Sequence, residues 1–291
     1  MQLVLHTGAH FTEEDRLIKC LLRNKGDFAA RGVSVPGPGK YRRLLSETLM
    51  AMREAPAAPG ARDVLMDAIL DDEPADRLIL SNAHFFAPAR GVVNRGMFYA
   101  RAEEKMAHMV RLFPHDQIEL FMAIRNPASF LPACFQKMES ESAIDFLDGS
   151  DPRVLRWSEL LIRLRKALPE VQITVWCNED APLIWGQIIR EMAALEHGQK
   201  ITGAFDLLRD IMTREGMLRF RAYLKKHPKM SELQRRQVVS AFLDKFALDE
   251  AVEEELDMPG WTDSLVDELT EIYDEDAIEI GRIPGVQVIS P

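Results

Sequence analysis

Four short stretches of the chain are apolar with almost no alternation: Leu3 to His6, Leu78 to Ser81, Ile118 to Ile124 and Val171 to Trp176. Unbroken apolarity over so few residues marks strands covered on both faces, as in a parallel sheet. Between them, apolar positions recur at helical spacing. Thr12 to Arg31 carries Leu17, Cys20, Leu21 and Phe28 on one face, and Tyr41 to Arg53 repeats Leu45, Leu49 and Met52. Met97 to Phe113 and Pro152 to Leu168 follow, the latter with Val154, Trp157, Leu161, Leu164 and Leu168 in step. Strands that alternate with helices predict crossover units and an α/β fold, here a three-layer, open, mainly parallel sheet. From Ala204 to Leu248 the pattern is helical throughout, and a last apolar run appears at Val286 to Ile289. The prediction is a single domain over residues 1–291, with a helical C-terminal extension and with 204–248 as a helical insertion or lid.

Proline and glycine punctuate the loops Val35 to Lys40, Ala55 to Ala61 and Phe86 to Gly96. In an open α/β sheet, ligands bind beyond the carboxyl ends of the strands. The loops after His6, Ser81 and Ile124 are therefore the first places where a site is expected.

Composition narrows the picture. Apolar residues make up 47% and charged residues 28%, as in ordinary globular proteins. No apolar run approaches the ~20 residues of a membrane span. The opening MQLVLHTG lacks the basic region and the length of a signal peptide. Cys20, Cys134 and Cys177 are odd in number and far apart, which fits neither a zinc pattern nor a disulfide framework. A reduced, cytoplasmic protein is expected, without a membrane partner. The net charge of −10 comes from one segment: Asp249 to Glu279 holds 14 acids and no Lys or Arg, leaving a surplus of four positive charges elsewhere. No broad basic face is implied, so no nucleic-acid partner is expected. Arg209 to Lys245 carries ten bases and four acids, and the acidic segment either pairs with it or both are solvated faces. No His-x-Glu, Cys-x-x-Cys or carboxylate–histidine cluster suggests a metal, and no G-x-S-x-G suggests a hydrolase.

Candidate chemistry concentrates in LVLHTGAHFTEEDRLIKCLL, Leu3 to Leu22. Gly8 suits a tight turn after a strand, and Thr12 suits the cap of the following helix, with Asp15 three residues on as in a capping box. A helix N-terminus attracts a bound phosphate or local carboxylates. Here Glu13, Glu14 and Asp15 supply the carboxylates, and the G-x-x-x-x-G-K-[ST] pattern fails, with Glu13 in the second glycine's place. Hydrolysis of ATP or GTP is disfavoured.

The segment Leu3 to Pro36 resembles the start of bacterial proteins of the sulfotransferase family: a strand, a loop G-x-x-K-T-G-T-[TS], a helix, and a phrase like "LAARGVxYP", matched by Ala29 to Pro36. Leu78 to Phe86 is similar to the family strand that ends near a catalytic Glu or His. Leu120 to Gln136 is similar to the strand and helix start that bind a 3′-phosphate, and Trp261 to Ile289 to the tails of these relatives. The resemblance implies a fold related to P-loop nucleotide kinases and a donor, 3′-phosphoadenosine 5′-phosphosulfate, used without a metal. It implies that Gly8, Ala9, His10, Phe11 and Thr12 cradle the donor and that Arg125 meets its 3′-phosphate. The family's serine eight residues after that arginine is Ala133 here, with Ser129 close by. His84 is the candidate base, and Arg90 and Arg95 are candidate contacts for a small-molecule or saccharide hydroxyl acceptor. Two departures matter. Phe11 stands at the family's loop lysine, and Glu13-Glu14-Asp15 replaces Gly-Thr-Thr/Ser. Losing one preorganised donor of that kind costs ~3 kcal/mol of transition-state stabilisation. Two functions stay open: sulfuryl transfer to a hydroxyl, or a non-catalytic binding or regulatory protein on the same fold with a degenerate phosphate loop.

Overall fold

A computed structural model describes residues 1–12, 14–71, 73–137, 142–196, 198–252 and 256–291, without the side chains of Glu14 and Val252. The strands are β1 (Gln2–His6), β2 (Val33–Ser34), β3 (Arg77–Ser81), β4 (Val93–Asn94), β5 (Met97–Phe98), β6 (Gln117–Ile124), β7 (Gln172–Cys177) and β8 (Val286–Val288). The helices of the first half are α1 (Glu14–Arg23), α2 (Lys25–Ala29), α3 (Pro38–Ala51), α4 (Ala61–Leu70), α5 (Ala102–Leu112), α6 (Pro127–Phe135) and α7 (Ala143–Phe146). Those of the second half are α8 (Trp157–Ala167), α9 (Ala181–Met192), α10 (Asp206–Ile211), α11 (Arg214–Lys226), α12 (Glu232–Phe246), α13 (Asp249–Val252) and α14 (Asp263–Ile280).

Six strands form one sheet in the order β2-β3-β1-β6-β7-β8, and every pairing in it is parallel. Side chains alternate across the central strand. Leu3 and Leu5 join a core built from α3, α5, α6 and α8, whereas Val4 joins a second core with Leu17 and Leu21 of α1 and Trp185 of α9. The sheet is thus helix-covered on both faces, which explains its unalternated apolar strands. No helix among the described residues is long and apolar enough to cross a membrane.

Arg77 of β3 and Glu119 of β6 form a buried two-pronged ion pair at 2.6 and 2.8 Å. Arg77 Nε also donates to Met192 O at 2.7 Å, tying the sheet to the end of α9.

Three expected helices end differently from their patterns. The stretch from Thr12 to Arg31 breaks at Asn24, whose amide donates to Cys20 O and Thr202 O and accepts from Thr202 N. The side chain competes for backbone partners and splits α1 from α2. Met97 and Phe98 belong to β5, paired antiparallel with β4 around Arg95 and Gly96, both at positive φ (53° and 69°). That is the backbone of a two-residue hairpin turn. Pro152 to Val154 forms a short turn before α8, and Val154, expected on the apolar face, is 57% exposed. Helix α8 begins only at Trp157, where buried Asp276 of α14 accepts from Trp157 N and Ser158 N.

Among the described residues no ion pair joins 209–245 to 249–279; Arg219 pairs with Glu215, Arg235 with Glu232, and Glu268 with Arg153. Helix α14 packs instead on α6 and α8. Helices α10 to α12 gather around a small core of their own, centred on Met217 and Phe220, and lean on α9.

Candidate functional site

The chain leaves β1 towards α1 on one face of the sheet and leaves the neighbouring strands β3 and β6 towards α5 and α6 on the other. Adjacent strands whose connections diverge in this way open a crevice at their carboxyl ends. The loop after β1 lies in that crevice. Thr7 N donates to Phe121 O and Ala9 N to Ala123 O, which carries the strand one step further along β6. Gly8 turns the chain at φ +81°, and a Cβ there would stand 3.3 Å from Ala83. Both the conformation and the close approach require glycine.

The expected anion-binding residues do meet here, but they bind the protein's own backbone. Arg125, at the end of β6, donates from Nη1 to Phe11 O at 2.6 Å and from Nε to Ser129 Oγ at 3.1 Å. Ser129 sits in the first turn of α6, one turn before Ala133, so the hydroxyl arrives from a different register than the family pattern implies. Phe11 adopts φ 53°, a left-handed conformation that costs a non-glycine residue roughly 1–2 kcal/mol. Thr12 Oγ1 donates back to Ala9 O at 2.8 Å. Helix α1 is described from Glu14 onward. Glu13 and the side chain of Glu14 lie outside the described residues, so the expected Thr12 cap and the expected carboxylate contacts do too.

His10 is buried beside this loop. Its Nδ1 lies 2.8 Å from Tyr99 Oη, its Nε2 lies 3.0 Å from His84 Nδ1, and its backbone N–H donates to Tyr99 Oη. Burial, and then the neighbouring His84, push its pKa down to about 4. Burial and the Arg42 guanidinium lower that of His84. His84 is therefore neutral near pH 7. With protons on both Nδ1 atoms, His84 donates to His10, His10 donates to Tyr99, and His84 Nε2 keeps a lone pair. In that tautomer a buried partner holds the His84 ring in place.

A second histidine lies close by. His6 ends β1 with Nδ1 2.9 Å from Ser81 Oγ and its ring stacked on Trp176 at 5.8 Å. Burial, and then Arg42, push its pKa down to about 3. Neither Tyr99 nor His6 stands out in the sequence as a site residue. His6 is a polar interruption at a strand end, which is a weak signal. Tyr99 reaches the site through the β4–β5 hairpin, which the sequence pattern hides.

His84 opens into a cleft of about 190 Å³ between α3, α5 and the carboxyl ends of β1 and β3. A wider cleft of about 390 Å³ adjoins it, lined by Arg90, Tyr99, Asp145 and Asp148. Arg95 lines neither. It forms the hairpin turn, exposed, with its backbone N–H on Asp148 at 2.8 Å. Among the described residues no group of His, Cys, Asp and Glu is placed to hold a metal ion. No protein-family model and no curated protein sequence matches this chain.

Proposed function

We propose that this chain is a non-catalytic small-molecule-binding protein on a sulfotransferase-like α/β scaffold, in which the phosphate loop has become internal structure. One observation carries the proposal. The groups that would receive 3′-phosphoadenosine 5′-phosphosulfate are already engaged: Ala9 N on Ala123 O, His10 N on Tyr99 Oη, and Arg125 on Phe11 O and Ser129. A phosphate cradle works through backbone N–H groups turned towards the ligand and a lysine behind them. Phe11 brings no charge, and the carboxylate of Asp15 opposes an anion. The order of strands and the divergence of connections around β1 support the scaffold assignment.

The test restores what the family loop has. Phe11→Lys combined with Glu13→Gly and Glu14→Thr is expected to create measurable affinity for adenosine 3′,5′-bisphosphate, seen as a rise in melting temperature with ligand concentration. A folded triple variant with no shift at millimolar ligand would contradict the proposal.

Sulfuryl transfer is the second reading, favoured by the Tyr99–His10–His84 arrangement. A neutral histidine oriented by a buried partner, at the mouth of a cleft, suits deprotonation of an acceptor hydroxyl. Under that reading Arg125 would leave Phe11 O when the donor's 3′-phosphate arrives.

A further inference from the structure

The cleft beside His84 is built for more than solvent. Its floor is apolar, with Leu45 and Leu49 from α3, Leu5 and Leu80 from the strand ends, and Phe85. Its rim is cationic: Arg53, Arg101 and Lys105 face one carboxylate, Glu104. That carboxylate is spoken for. Glu104 accepts two hydrogen bonds from Arg101, at 2.6 and 2.8 Å, and lies 3.6 Å from Arg53. The half-buried Lys105 ammonium donates to Phe85 O at 2.9 Å and, among the described residues, meets no carboxylate. Burial, and then the Arg101 charge, lower its pKa, and the Glu104 carboxylate offsets this only in part.

Two further groups on the lining are buried and unmatched. Thr7 Oγ1 and His108 Nδ1 have no hydrogen-bond partner among the described residues, although Thr7 is only 1% and His108 only 5% exposed. A buried polar atom without a partner costs about 1–3 kcal/mol. Neither of those atoms offers surface to the cleft; the half-buried ammonium on an otherwise apolar wall, hydrogen-bonded to one carbonyl, is what marks a site for an amphipathic ligand.

We propose that this cleft binds a small apolar monocarboxylic acid, its carboxylate on Lys105 and its body against Leu45, Leu49 and Phe85. A cavity of 150 Å³ takes up benzene, so about 190 Å³ holds one ring with a short side chain. A ligand carboxylate gives Lys105 a directly hydrogen-bonded anion beside Phe85 O, and its second oxygen accepts from Arg101. The proposal names the ligand class of the binding protein described above and rests on that assignment for its biological sense. The cleft uses none of the loop contacts of Ala9, Phe11 or Arg125, so the two fail separately.

The probe is 3-phenylpropanoate, compared by calorimetry with its neutral analogue 3-phenylpropan-1-ol and with acetate. The expected order is the acid at least tenfold tighter than the alcohol, with acetate silent at millimolar concentration. Lys105→Met is expected to erase the preference for the acid while leaving alcohol binding in place. Ser46→Trp, an exposed position on the lining, is expected to abolish both. Arg101→Gln, on the surface, checks the charge effect if Lys105→Met does not fold. Equal affinity for acid and alcohol, indifference to Lys105→Met, silence from both aromatic ligands, or displacement of the acid by adenosine 3′,5′-bisphosphate would each overturn the proposal.

Discussion

Acidifying the solution from pH 7 to pH 4 is expected to remove a large part of this protein's stability, on the order of 5 kcal/mol. Two buried histidines set the effect. His6 has a native pKa of about 3 and His10 of about 4, against 6.5 for a free imidazole. Both native values are depressed, so the unfolded chain binds more protons than the folded one below pH 6.5. Stability is therefore full above pH 6.5 and falls as the pH drops, until about pH 4 for His10 and about pH 3 for His6. Each group contributes a slope of up to about 1.4 kcal/mol per pH unit in its window. Burial is the first cause at both sites, so added salt is expected to change little. Urea melts at pH 7, 6, 5 and 4 measure the slope. His6→Asn keeps an acceptor near the Nδ1 position that meets Ser81, and His10→Gln keeps a polar group near His84; each is expected to flatten the curve. A stability that stays level from pH 7 to pH 5 would refute the burial of both rings.

Glu119→Ala is expected to destabilise the protein by about 3–5 kcal/mol, because it leaves the Arg77 guanidinium buried without its carboxylate. The two prongs at 2.6 and 2.8 Å bridge across β1, from β3 to β6, and Arg77 Nε also holds Met192 O. The loss is thus one of uncompensated charge rather than of a single contact. Replacing the pair together, as Arg77→Met with Glu119→Leu, removes the stranded charge and is expected to recover most of the stability. Equilibrium urea unfolding separates the cases: a cost below 1 kcal/mol for Glu119→Ala would mean that Arg77 finds water.

Those two residues illustrate what the chain discloses before folding and what it does not. The four strands that carry the sheet are legible because burial on both faces makes them apolar from end to end. Arg77 and Glu119 stand at or within those strands as polar exceptions, and only the parallel register brings them within reach of each other across β1. Gly8, Arg125 and Ser129 are legible as neighbours for a related reason: each follows directly from the carboxyl end of a strand, and the sheet brings those ends together. Tyr99 is not legible. It comes after a two-residue strand inside what reads as a continuous helical pattern from Met97 to Phe113, and a hairpin tip at Arg95 and Gly96 decides its position. The break at Asn24 is hidden in the same way, since its partner Thr202 lies far along the chain. The cleft is hidden too, because its floor and rim come from two helices and two strand ends that share no local motif.

The central claim is that the loop after β1 is closed upon the protein's own backbone. Calorimetric titration of the unmodified protein with adenosine 3′,5′-bisphosphate tests it most directly. The account predicts no heat of binding up to millimolar ligand at pH 7.5. Micromolar binding that disappears in Arg125→Ala would contradict it and would assign Arg125 to a phosphate.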